Sequence, residues 1–141
     1  MTINPATYAE SRSAVNTAIK TMTSLKIRMS ADGKAVTATL ADNPTARDFY
    51  SLLPLTLTLE DYAATEKISY LPRKLSQDGV PAGVEPAVGD IAYYAPWGNL
   101  AVFYQGFAYS EGLIKLGMID SGLEVLKTPG SLRVKIEAVT D

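Results

Sequence analysis

The side chains best suited to hold a ligand crowd into the block from Gly89 to Tyr104. Tyr93, Tyr94, Trp97, Phe103 and Tyr104 surround a Pro96-Trp97-Gly98-Asn99 turn there. Convergent aromatic rings with a few charges are the usual composition of a small-molecule or peptide pocket. Trp97 is the only tryptophan, and a turn can hold its ring against a cavity rather than in a core. Neighbouring side chains on a strand point to opposite faces. One of Tyr93 and Tyr94 therefore faces the interior and the other a groove, and the same holds for Phe103 and Tyr104. The expected groove side is Tyr94, Trp97 and Tyr104, with Phe103 expected in the core.

Charged candidates flank this block. Arg73, beside Pro72 and Leu75, is the candidate catalytic cation, with Arg47 second. An Arg that hydrogen-bonds a prolyl nitrogen beside an apolar pocket favours the twisted amide, and so lowers the ~18–20 kcal/mol barrier of prolyl isomerisation. The competing reading of each is a solvated or ion-paired surface Arg. Glu60, Asp61 and Glu66 are the densest carboxylate group. Paired carboxylates do acid–base work when one pKa is raised, although strand-end carboxylates are mostly solvated. Glu66 beside Lys67 also reads as part of a surface ion pair. Gly79, Gly83 and Gly89 match no phosphate-binding spacing and read as loop.

The chain has no His and no Cys. That excludes disulfides, thiol nucleophiles, zinc fingers and every triad with a His base. Acid–base chemistry is left to Asp, Glu, Lys and Tyr. No metal and no cofactor is expected. The 141 residues, 47% hydrophobic and 20% charged, suit one domain with a real core. A net charge of −2 argues against nucleic acid as a partner. No segment reads as a membrane span or a secretory signal, so a cytoplasmic location is the expectation.

Short strands must carry these groups. Leu25, Ile27 and Met29 alternate with polar residues, Asp32-Gly33 signals a hairpin, and Val36, Ala38 and Leu40 alternate on the return. Asn43-Pro44 starts a helix of about three turns that buries Ala46, Phe49, Tyr50 and Leu53 and stops at Pro54. Leu55 to Leu59 alternates as a strand, which Glu60-Asp61-Tyr62 leaves. Residues 76–89 read as a long loop. Strands are expected over Ile91–Ala95, Leu100–Tyr104 and Leu113–Leu116, with a last one from Leu132 to Ala138 that pairs near the first and closes the sheet. Leu123, Val125 and Leu126 are too few to assign. Residues 1–23 read as a separate arm, with Asn4-Pro5 as a helix start and residues 24–141 as the domain. The fold class is mainly β: a closed antiparallel barrel with one or two short helices.

From Leu25 to about Val139 the chain resembles the bacterial cyclophilin-like proteins. The residues that carry the likeness are Asn43 to Phe49, Leu53 to Leu57, Glu66 to Ile68, Gly89 to Leu100 and Leu116 to Gly122. The resemblance implies a cyclophilin-type closed β-barrel, and it makes Glu66 a better site residue than Asp61. Cyclophilins proper are peptidyl-prolyl isomerases whose groove uses an Arg, a Phe, a Gln, a Trp and a His. This chain lacks that His and the Phe-His-Arg run, and keeps only Phe103-Tyr104-Gln105-Gly106 as an echo of the groove strand.

The expectation is a binding module. Its groove, lined by Glu66, Arg73, Tyr94, Trp97 and Tyr104, takes a small molecule or an extended peptide. The alternatives are a weak peptidyl-prolyl isomerase acting through Arg73, and an assembly protein that forms homo-oligomers through the N-terminal helix.

Overall fold

A computed structural model describes residues 25–139 of the chain. The arm over residues 1–23, with its expected helix and its assembly role, lies outside the described residues. β1 (Lys26–Ala31) and β2 (Lys34–Leu40) form the first hairpin. Asp32 and Gly33 at its tip take positive φ, 49° and 76°, as tight hairpin turns of this hand require. Alternation buries Ile27, Met29, Val36 and Ala38 and leaves Lys26 and Lys34 in solvent.

Helix α1 (Pro44–Ser51) follows. The Asn43 side chain accepts the Ala46 amide N–H at 2.7 Å and donates to the Lys115 carbonyl at 3.0 Å. It thus caps the helix and ties it to the barrel. Ala46 and Phe49 are fully buried, and Tyr50 and Leu53 pack at the edge of the core. With eight residues, the helix is shorter than the three turns expected, because Leu52 already forms the cap ahead of Pro54. Asn43→Ala is expected to cost about 1–2 kcal/mol of unfolding free energy, read as a lower urea midpoint with an unchanged m-value. A change below about 0.3 kcal/mol would mean the cap is redundant.

The remaining elements are β3 (Leu55–Tyr62), β4 (Glu66–Tyr70), β5 (Gly83–Val84), β6 (Asp90–Tyr94), β7 (Asn99–Phe103), β8 (Ser110–Glu111), β9 (Leu113–Ser121), α2 (Leu123–Leu126) and β10 (Leu132–Ala138). Eight strands close an antiparallel barrel in the order β1-β10-β3-β4-β7-β6-β9-β2, with β5 and β8 as a separate ribbon. The last strand does pair with the first, with Met29 opposite Ile136, so the barrel has no free edge.

Three elements differ from the sequence reading. β3 continues through Tyr62, because Glu60, Asp61 and Tyr62 pair with Ile68, Lys67 and Glu66. β9 runs to Ser121, bridging β6 with its first half and β2 with its second. Its close approach to β2 rests on Gly117, where a Cβ would stand 2.3 Å from the Thr39 carbonyl oxygen. The segment read as one long loop contributes Gly83 and Val84 to the small ribbon.

The barrel interior is filled by Ile27, Leu59, Ile91, Tyr93, Leu100, Val102 and their neighbours. A second, smaller apolar cluster, Ala92, Ala101, Phe103 and Leu113, lies on the opposite face of the same strands. That outer cluster backs the candidate site.

Candidate functional site

The barrel's outer wall carries a cavity of about 180 Å³. Strand register explains its lining. On β6 and β7, Tyr94 stands opposite Asn99, and Ala92 stands opposite Ala101. On β4 and β7, Glu66 stands opposite Phe103, and Ile68 opposite Ala101. Alternation therefore places Glu66, Ile68, Tyr94, Asn99 and Phe103 on one outward face, and all five line the cavity. Tyr62 at the end of β3 and Trp97 on the β6–β7 turn wall one side, and Phe107 and Ser110 reach in from the segment before β9.

Tyr62 and Tyr94 each meet Trp97 at a near right angle. Tyr62 and Trp97 lie 5.5 Å apart with planes at 87°, and Tyr94 and Trp97 lie 5.3 Å apart at 82°. Such edge contacts suit the aromatic quadrupole. The turn beneath Trp97 is held by the Ala95 N–H bonded to the Gly112 carbonyl at 2.9 Å and the Gly98 N–H bonded to the Tyr94 carbonyl at 2.9 Å. Gly98 supplies the φ of +68° that the turn needs. The indole is thus placed by backbone geometry before any ligand arrives.

Two polar groups face this apolar box. Asn99 is only 2% exposed, and its Oδ1 has no hydrogen-bond partner. Glu66 is half-buried, and burial pushes its carboxyl above the usual range, opposed only by a long contact from Thr65. Among the described residues no cation pairs with it. Asn99 and Ile68 also border a wider hollow of about 480 Å³, which carries Thr56, Thr58 and Tyr70 on its walls. It opens where β3 and β4 separate beyond the Glu60–Ile68 pair.

Of the sequence candidates, Glu66, Tyr94 and Trp97 come together here; Arg73 and Tyr104 do not. The Arg73 guanidinium forms a two-pronged pair with Asp48 of α1, at 2.7 and 3.0 Å, and Asp48 also accepts the Ser76 N–H at 2.7 Å. That arrangement holds the Asp48 carboxyl below the usual range, Arg73 contributing most, and pins residues 73–76 to the helix. Arg47 likewise pairs with Asp42 at the surface. The ion-paired reading therefore describes both arginines. Among the described residues, no Arg or Lys lines the cavity.

Phe103 is buried, as expected, but in the outer apolar cluster, where it also lines the cavity. Phe103, on the face shared with Asn99, is the pocket residue. Tyr104 turns the other way and donates its hydroxyl to Asp61 at 2.8 Å. Burial, then Asp61, push the Tyr104 phenol up to about 12, so it stays a neutral donor near pH 7. Asp61 is also held by the Gly130 N–H at 2.8 Å and by Lys67 at 3.0 Å. Lys67 therefore pairs with Asp61, not with its neighbour Glu66, because β4 turns the two to opposite faces.

The sequence reading also missed Tyr62, Asn99, Phe103 and Phe107. The signal for Asn99 and Phe103 was present: a four-residue connection between Tyr94 and Asn99 fixes the hairpin register, and the register assigns both to the face of Tyr94. Nothing local marks Tyr62 or Phe107.

The closed eight-stranded antiparallel barrel is that of a cyclophilin-like protein. The chain belongs to the cyclophilin-like family, which matches residues 29–137. The fold is similar to the solution structure of a hypothetical protein from Archaeoglobus fulgidus, with a TM-score of 0.64 and 14% identity over 82% of this chain and 95% of that one. None of the curated proteins matches the chain. No helix among the described residues is long and apolar enough to cross a membrane.

Proposed function

We propose that this protein is a small-ligand-binding module whose site is the outer-wall cavity, with Tyr62, Tyr94, Trp97 and Phe103 as walls and Glu66 and Asn99 as polar anchors. The observation that carries the reading is the lining, in which the rings of Tyr62, Tyr94, Trp97 and Phe103 meet the half-buried carboxyl of Glu66. Convergent aromatic rings with a few polar groups are the usual composition of a ligand pocket. A cavity of about 180 Å³ falls below the roughly 300–1,000 Å³ typical of drug-sized ligands. The occupant is accordingly a compact molecule or head group, not a dinucleotide. The wider hollow across Asn99 leaves room for a substituent of that molecule.

Binding, not turnover, is the role proposed. Among the described residues, Glu66 is the one acidic group on the wall, and no second carboxylate or cation lines the cavity beside it to share proton transfer. A fragment screen monitored by two-dimensional NMR tests the reading. Hits are expected to shift the Trp97 indole N–H and the Asn99 side-chain amide together. Shifts gathered instead around Asp48 and Arg73, with Trp97 silent, would overturn the site.

A further inference from the structure

We propose that the cavity binds a compact organic cation, an alkylated ammonium group, with its methyl groups against the Tyr62, Tyr94 and Trp97 rings and its charge beside Glu66. This inference rests on the ligand-binding reading above and names the class of ligand.

Three observations carry it. Tyr62 and Tyr94 stand at 87° and 82° to Trp97 and all three residues line the cavity, so its wall is made of rings in different planes rather than of a stack. An alkylammonium is attracted to aromatic faces by their quadrupoles, and Trp is the strongest partner. A neutral aliphatic group gains burial in such a cavity but not that electrostatic attraction. The charge on the wall has the matching sign: among the described residues, Glu66 is the only formally charged one that lines the cavity. It lies half-buried without a counterion among the described residues, and a buried carboxylate is stabilised chiefly by an opposite charge or by hydrogen bonds to it. The size also agrees, since about 180 Å³ holds a trimethylammonium head with one short substituent.

The competing occupant is an uncharged aliphatic group, which needs the rings but not Glu66. Choline and its neutral isostere 3,3-dimethylbutanol separate the two. Each is titrated into the full chain and into Glu66→Gln, with calorimetry and the Trp97 indole NMR signal as readouts. The expected result is that choline binds the wild-type chain about tenfold more tightly than the alcohol. Glu66→Gln should shrink that ratio to about threefold or less by weakening choline alone. A second readout guards against a fold defect. Removing a carboxyl that burial disfavours should leave thermal stability at neutral pH unchanged or raised, so Glu66→Gln is expected to melt no lower than wild type.

Equal binding of choline and the alcohol by both chains would overturn the cation inference and leave the pocket reading standing. Absence of any Trp97 response to either probe would overturn both. A peptide bearing trimethyllysine, run alongside, identifies the source. Tighter binding of that peptide than of choline would assign the ammonium to a protein tail, and the reverse to a free small molecule.

Discussion

Lys67→Met is expected to lower the unfolding free energy by about 3 kcal/mol, the largest loss from any single polar substitution in the barrel. Lys67 is fully buried. Its ammonium has three donors, and three acceptors meet them: the Thr128 and Gly130 carbonyls, each at 2.5 Å, and the Asp61 carboxylate at 3.0 Å. Methionine keeps most of the apolar stem, so the substitution removes the charge and its hydrogen bonds without opening a large cavity. Two carbonyls and one carboxylate then lose their donor. Breaking a buried pair from one side typically costs 3–5 kcal/mol. The lower end applies because Asp61 keeps 35% of its side-chain exposure and retains the Gly130 N–H and the Tyr104 hydroxyl. Urea denaturation measures the loss, and a change under about 1 kcal/mol would show that water replaces the ammonium.

The same cluster sets an acid dependence. The Gly130 N–H, then Lys67, then Tyr104 hold the Asp61 carboxyl below its ordinary value of 3.8. A carboxyl whose folded pKa is depressed contributes stability that is present above the unfolded value and is lost as pH falls through the folded one. The wild-type chain should therefore lose this contribution below about pH 4. In Lys67→Met the folded value moves back toward the unfolded one, so stability should fall less steeply there. A parallel pH dependence in the two chains would remove Lys67 from that role.

Lys67 also shows where sequence reading stops. In the sequence it is a charged residue next to Glu66, which is the appearance of any surface pair. Its burial comes from Asp61, two carbonyls more than sixty positions away and a strand pairing that no local pattern specifies. What was legible was local. Period-two alternation marks β1, β2 and β10, Asp32-Gly33 marks the first hairpin, and Asn43-Pro44 marks the start of α1, because each depends on residues within one turn or strand. The ends of β3 and β9 were not legible, since Glu60 to Tyr62 and Met118 to Ser121 are polar or mixed and become strand only by pairing with β4 and β2. The two-residue ribbon of β5 and β8 has no periodicity to read.

The site divides in the same way. Tyr94 and Trp97 belong to one turn and could be placed from it. Arg73 could not, because its partner Asp48 lies 25 positions earlier on another element. The outward placement of Phe103 has a different cause. Alternation says that neighbours part company but not which one goes outward; that depends on the register of the β6–β7 hairpin.

Trp97→Ala should weaken binding of the pocket's ligand, probed as choline, about 10- to 30-fold. A desolvated cation on an indole face is worth about 2 kcal/mol, which is near the upper figure. The indole also meets both tyrosine rings in edge-to-face contacts. Its removal takes away one wall and the support of the other two, so Tyr62, itself 44% exposed, gains freedom to turn toward solvent. Ordering that ring again on binding adds entropy cost to the lost contact. The fold should scarcely respond. Trp97 is 46% exposed, and its turn is held by backbone hydrogen bonds and Gly98 rather than by the indole, so the melting temperature should move by no more than a few degrees. Trp97→Phe restores a ring without the indole's larger quadrupole and should recover part of the affinity. Calorimetry is the suitable readout, because the substitution removes the chain's only tryptophan fluorophore. An unchanged affinity in Trp97→Ala would place the ligand elsewhere. An equal loss in the alanine and phenylalanine variants would assign the effect to indole shape and hydrogen bonding instead of to the aromatic face.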